Sequence, residues 1–162
     1  MLVSQLKPVD IIVGNVTTYF LLSFINVIMI LLLSWLVFDL PVKGSLILLL
    51  AESMLYILVS LSLGILISTV SKTMQQAIFI SVLGLMLPTI LLSGFIFPIE
   101  NMPEAYDWVS ALLPPRYFVV IIKNIMIKGA GFMYVWKETL ILTVMTVLFI
   151  GLSVRNFKVR LQ

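Results

Sequence analysis

Between Ile11 and Phe38 the chain runs for 28 residues without an Asp, Glu, Lys or Arg. About 20 apolar residues, coiled as a helix, cross roughly 30 Å of hydrocarbon, and in lipid a helix is one of the two ways a backbone can satisfy its own polar groups. Three more stretches reach that length: Ser45 to Val70, Ala77 to Phe97 and Trp136 to Val154. Of the 162 residues 62% are hydrophobic and 10% charged, where a soluble domain carries roughly 25% charged. The fold class this predicts is all-α: a polytopic integral membrane bundle of four spans, a single transmembrane domain over residues 1–162. The first two stretches exceed the minimum and should tilt or project beyond the lipid.

The chain has no Cys and no His. That excludes thiol nucleophiles, disulfides, the usual zinc ligand sets and imidazole acid–base work. No Gly-x-x-x-x-Gly-Lys-Ser/Thr loop occurs, so nothing here cradles a nucleotide phosphate. The net charge of +3 comes from short basic stretches flanking apolar runs, which does not follow a nucleic-acid backbone. The N-terminal MLVSQLKPVD lacks the small-residue cleavage site of a signal peptide.

Four spans put both termini on one side. Lys7, Lys72, Arg155, Lys158 and Arg160 lie on that side, and Lys43, Arg116, Lys123, Lys128 and Lys137 on the other. The count is a tie, but the first group is packed into about half the loop length of the second, and basic density predicts cytoplasmic termini.

The segment from Pro98 to Val135 is too broken by proline to be a span. Asn101 and Glu104 have the spacing of a helix N-cap and its reciprocal partner, with Pro103 in the first turn where a missing N–H costs nothing. A short helix over residues 101–113 is predicted, with Ala105, Tyr106, Val109, Leu112 and Leu113 on one face. Pro114 and Pro115 then break the chain and start a second helix over residues 115–128. About a dozen residues cannot cross a bilayer, so the pair reads either as a re-entrant hairpin packed into the mouth of the bundle or as two surface helices.

Leu91 to Phe118, LLSGFIFPIENMPEAYDWVSALLPPRYF, resembles the most recognisable signature of the ABC-2 type transporter permeases, the export branch of the ATP-binding cassette systems. Ile121 to Gly131 continues that pattern, and Leu61 to Ala77 is similar to the family's cytoplasmic turn between its fourth and fifth spans. Gln5 to Asn15 is similar to the coupling segment that meets the ATPase, although Asn15 stands where a basic residue is expected. The resemblance implies the last four of six spans, with two spans and an extracytoplasmic domain preceding them in the family. It implies a permease subunit working as a homo- or heterodimer with cytoplasmic ATPase subunits that bind ATP and Mg, and no cofactor in this chain. It also implies an inner-membrane location and efflux of a cargo that could be drug, lipid, peptide or polysaccharide. Gln5, Lys7, Pro8 and Asp10 become the ATPase-coupling residues. Pro98, Glu100, Asn101, Pro103, Pro114, Pro115 and Arg116 become the corners of an outer gate.

No residue set in the chain suggests catalysis. Asn15, Tyr19 and Asn26 mark one face of the first span, where they either line the translocation path or bond to neighbouring helices. Glu52, the one acid well inside a span, and Tyr56 one turn on are path candidates too. For Glu52 the competing expectation is a snorkelling carboxylate or a pair with Lys43 or Lys123. Ser60, Gly64 and Ser68 repeat every fourth residue, a small-residue stripe that predicts close helix packing. Pro88 should bend the third span, with Thr89 and Ser93 at hand for the freed backbone. A non-transporting structural or assembly subunit, and less readily a membrane-embedded enzyme, are the rival classes.

Overall fold

In the computed structural model the backbone is described over residues 8–39, 42–93 and 104–160, and side chains over 14–39, 42–93 and 108–156. Every regular element among them is helical. They fall into two compact units, Met1–Leu40 and Pro41–Gln162.

The first unit holds α1, Pro8–Phe38. Proline opens it because its absent N–H is one of the donors a first turn leaves unbonded anyway. At about 1.5 Å per residue its 31 residues extend over about 46 Å. Asp39, at φ 48°, turns the chain out of the helix. Thr18 donates its hydroxyl to the Gly14 carbonyl at 3.0 Å.

The second unit begins with α2, Leu46–Val70, capped by the Ser45 hydroxyl, which accepts from the Leu48 N–H. A single turn later α3, Met74–Leu92, starts three residues before the predicted span; Ser93 caps it, and the predicted end at Phe97 lies outside the described residues. Its early start has a local cause: Thr73 Oγ1 accepts from the Gln76 N–H at 3.2 Å, while Gln76 Oε1 accepts from the Lys72 N–H at 2.9 Å. Threonine followed at three residues by glutamine is the spacing of a capping box. The middle of α3, Ile80–Met86, is wound as a π-helix, with the Leu87 N–H reaching back five residues to the Val82 carbonyl. Pro88 follows at once. In a regular α-helix its ring would clash with the carbonyl four residues earlier; the wider turn in front of it removes the spacing on which that clash depends.

The hairpin follows as α4, Glu104–Ala111, and α5, Pro114–Ile122, the latter continuing as a π-turn over Lys123–Ile127. The proposed cap at Asn101 and the corners at Pro98, Glu100 and Pro103 lie outside the described residues. The last helix, α6, Phe132–Arg160, has 29 residues and overruns the predicted 136–154 at both ends.

α5 packs between α2 and α6, and these three helices make the core. Leu49 and Val59 of α2, Ile121 of α5, Ile125 of its π-turn, and Val135 and Leu142 of α6 are essentially fully buried. α5 runs antiparallel to α2. Near its start Phe118 stacks on Tyr56, ring centroids 4.2 Å apart and planes within 1°; near its end the Met126 carbonyl accepts from the Lys43 N–H at 3.3 Å, just before α2 begins. α3 joins this core at one end only, through α4 and α5, and none of its helical residues is buried.

The hairpin faces differ from the prediction. Val109 and Leu112 are exposed, and the buried line is Ser110, Leu113 and Pro114. The reason is polar: Ser110 Oγ donates to the Leu92 carbonyl at 2.8 Å, and that bond turns this side of α4 towards the end of α3. A buried hydroxyl or carbonyl left unbonded costs several kcal/mol (about 2–7).

Two glycines fix where the end of the hairpin sits. A Cβ on Gly44 would lie 2.7 Å from the Ile125 carbonyl oxygen, a backbone atom that cannot swing away. Gly129, at φ 65°, turns the chain from the π-turn towards α6 against the Lys43 backbone. Gly44→Ala should therefore lower the stability of the purified protein by about 1–3 kcal/mol, read as an earlier thermal unfolding midpoint in detergent. Gly64→Ala, whose Cβ would meet nothing within 4 Å, is the matched control and should leave the midpoint unchanged.

Candidate functional site

Two features of the second unit combine polar groups with enclosure. The first is the corner between α4 and α5. Leu112 and Leu113 donate back to the carbonyls of Val109 and Ser110, and the Arg116 N–H donates to Leu113. Side chains close over the top: Tyr117 donates its hydroxyl to the Ala111 carbonyl at 2.8 Å, and Arg116 Nη1 donates to Ser110 Oγ at 3.2 Å. Ser110 thereby links the corner to the end of α3. Pro114 and Pro115 start α5 as expected for residues with no N–H to offer. The outcome is a chain reversal whose N–H groups at Leu112, Leu113 and Arg116 are bonded locally.

Below this corner lies a cavity of about 420 Å³ between α2 and α3. Tyr56, Ser60, Gly64 and Ile67 line it from α2, Ser81, Leu85 and Thr89 from α3, and Leu113, Pro114 and Pro115 close one end. The walls are apolar with a few hydroxyls, the make-up of a small-molecule pocket. The π-helical segment of α3 supplies Ser81, Leu85 and Met86 to this wall, and π-turns recur at functional sites. The cavity corrects one reading of the sequence. Ser60, Gly64 and Ser68 are exposed and do not form a packing seam within this unit; Ser60 and Gly64 line open space instead. The residues of α2 that do pack are Leu49, Glu52, Ser53, Ile57, Val59 and Ser62, on adjoining faces of the helix. Ser53 and Ser62 can be buried there because each donates its hydroxyl to a carbonyl of its own helix, Leu49 and Leu58.

The second feature is Glu52. It does not line the cavity; it is 2% exposed, on the side of α2 that meets α6. Its Oε1 accepts from the Thr139 hydroxyl at 2.7 Å, a partner on α6 that neither expectation for this residue had named. Thr139 Oγ1 also lies 2.8 Å from the Val135 carbonyl. Glu138 precedes Thr139 on α6. Glu52 Oε2 and Glu138 Oε2 are both buried with no hydrogen-bond partner among the described residues.

On α1, Asn15, Tyr19 and Asn26 are exposed along one stripe, Tyr19 by 59%. Of the coupling candidates, Pro8 begins α1 and Asp10 lies in its first turn; Gln5 and Lys7 lie outside the described residues. Sequence reasoning missed Ser110, Tyr117 and Thr139. The signal at Thr139 was faint: it is the first of three threonines, with Thr143 and Thr146, on one face of α6.

Among the described residues no group of three or more Asp and Glu side chains comes together. No solved structure matches the chain. It is similar to the probable multidrug ABC transporter permease YbhS of Escherichia coli K12, 30% identical over 162 residues, covering 100% of this chain and 43% of the relative. It is also similar to the probable multidrug ABC transporter permease YbhR of the same strain, 34% identical over 146 residues, 90% of this chain and 39% of the relative. A third relative is the inner membrane transport permease YhhJ, again from K12, 30% identical over 122 residues, 75% of this chain and 32% of the relative. The chain thus spans less than half the length of these relatives. The model of the ABC-2 family transporter proteins matches residues 1–155, nearly the whole chain with all four apolar helices, and the chain belongs to that family.

Proposed function

We propose that this chain is a membrane-spanning permease subunit of an ABC-2 type exporter, which moves its cargo with energy from ATP hydrolysed on a separate cytoplasmic subunit that holds the Mg. The observation that carries the reading is the antiparallel pairing of α5 with α2. Tyr56 is the eleventh residue of α2 and so lies about 15 Å from its start. The 25 residues of α2 extend over about 37 Å, some 7 Å more than a bilayer core of about 30 Å. Even if all that excess projected from this end, the Tyr56–Phe118 stack would still lie about 8 Å inside the hydrocarbon. That favours a re-entrant hairpin over a pair of surface helices. The Pro114–Pro115 corner then stands at depth in the bundle, above a cavity open to an amphipathic molecule.

The exposed polar stripe of α1, Asn15, Tyr19 and Asn26, is suited to face a second permease subunit or the path between two subunits, since lipid would offer its amides no partner. Pro8 and Asp10, with Gln5 and Lys7 before them, stand where the family's coupling segment meets the ATPase. Basic density assigns both termini to the cytoplasm of a bacterial inner membrane, the membrane named for YhhJ. The cargo is of the drug-like class named for YbhS and YbhR, an apolar body with a few hydrogen-bonding groups, as the cavity walls suggest.

Three measurements test this. A cassette ATPase should co-purify with the chain from native membranes and hydrolyse ATP faster when amphipathic drugs are added; a chain that purifies without an ATPase would favour a structural subunit. Gly64→Trp, which fills the cavity from a position with free space, should lower drug-stimulated turnover at least 5-fold while basal hydrolysis persists; unchanged stimulation removes the cavity from the path. Cysteines introduced at the exposed Gly131 and Lys72 should react with a membrane-impermeant thiol reagent from the periplasmic and the cytoplasmic side respectively, and the reverse pattern would overturn the orientation.

A further inference from the structure

Glu52 poses a charge problem that the permease reading does not use. A carboxylate 2% exposed between two membrane helices has one oxygen bonded to Thr139 and the other to nothing described. A second carboxylate, Glu138, stands next to Thr139 in the chain and has its own buried, unpartnered oxygen. Thr139 brings a single hydroxyl proton, which cannot serve both Glu52 Oε1 at 2.7 Å and the Val135 carbonyl at 2.8 Å as full hydrogen bonds. The group is thus rich in acceptors and short of positive charge. A charge at the centre of a membrane helix costs about 2.5–3.5 kcal/mol on insertion scales and more where nothing compensates it. The orphaned Oε2 atoms say where the compensation belongs, because each points its lone pairs into a buried place without a donor.

We infer that Glu52, Glu138 and Thr139 form an intramembrane site that takes up one monovalent cation, a proton or an alkali metal ion, at the contact of α2 with α6. The Glu52 and Glu138 oxygens carry the negative charge, and the Thr139 hydroxyl and Val135 carbonyl are neutral oxygens of the kind alkali ions accept. The site is two turns from the start of α2 and directly beneath the Lys43–Gly44 lock on the end of the hairpin. Charge uptake therefore acts on the helix pair between which α5 is inserted: an occupied site draws α2 and α6 together, and an empty one leaves two carboxylates pushing them apart.

The test uses the full-length chain purified in detergent, with any subunit that accompanies it, and reads the thermal unfolding midpoint. At pH 8 and fixed ionic strength, sodium chloride is titrated against choline chloride; separately, pH is lowered from 8 to 5.5 in choline. Ligand uptake by the folded state alone should raise the wild-type midpoint saturably, by roughly 3 °C or more, in at least one series. Glu52→Gln should abolish that rise. A rise with sodium at pH 8 assigns an alkali ion, and a rise confined to acidification assigns a proton. Because Lys43, Tyr56, Arg116, Tyr117, Lys123 and Lys137 also sit on the elements packed around the pair, the result is taken as the difference between wild type and variant. Should Glu52→Gln not fold, Glu138→Gln leaves the Thr139 bond in place and should shift the midpoint concentration of sodium or protons at least 5-fold. Identical responses of wild type and the folded variant in both series would overturn the site. The readout involves neither ATP nor cargo, so its outcome is independent of the exporter reading.

Discussion

A peptide group within hydrocarbon has no water to fall back on, and most of what is unusual in this chain answers to that constraint. A simple span needs only its helix. A chain that reverses between two helices must also satisfy the backbone of its turn. Here the reversal between α4 and α5 carries prolines where an N–H would have been left over, and returns the Leu112 and Leu113 N–H groups to the preceding turn. Ser110, Arg116 and Tyr117 cover what remains. The same constraint accounts for the serines and threonines of the long helices, most of which donate to the carbonyl four residues back, Ser53, Ser62, Ser81, Thr143, Thr146 and Ser153 among them. A hydroxyl bonded to its own helix can face lipid or a neighbour at little cost.

The remaining departures from a regular helix are relieved by π-turns. One precedes Pro88, and the other carries α5 past Lys123 to Ile127, where Lys128 donates back five residues to the Lys123 carbonyl. In each case one extra residue is absorbed without a free backbone group. The second π-turn ends against Gly44 and Gly129, where backbone meets backbone so closely that a side chain would not fit. The hairpin is consequently fixed at both ends: at its corner by hydrogen bonds, and at its exit by steric contact with the segment that leads into α2.

Much of this was legible in the sequence. Apolar runs of about 20 residues with at most two charges predict spans because length and scarcity of charge are decided by the solvent and not by packing. The double proline marked the corner for the same reason: its effect is local. What was not legible depended on partners brought from far along the chain. Glu52 was visible as an anomaly, but nothing in its neighbourhood names Thr139, 87 residues away. Val109 and Leu112 looked like the buried side of α4 because an apolar face is ordinarily the buried one; here Ser110, bonded to the Leu92 carbonyl, takes the buried side instead. The stripe of Ser60, Gly64 and Ser68 had the right spacing for a packed seam, yet spacing cannot say whether a helix arrives to fill it.

That last point bears on how the second unit works. α3 makes its main contacts with the core at the end where α4 and α5 lie, and most of its middle is exposed, with a π-turn followed by a proline. α2 offers it Ser60 and Gly64 across an open cavity in place of a packed contact. Two helices tethered at one end and separated by a gap at the middle differ from the tightly packed pair α2 and α6, whose contact has buried leucine, isoleucine and valine and the Glu52–Thr139 bond. Packed interfaces resist graded deformation, whereas a tethered helix with wide turns in it can bend at small cost. Motion in this unit is therefore expected on the α3 side, with α2, α5 and α6 moving as one body and the Ser110–Leu92 bond serving as the pivot between them.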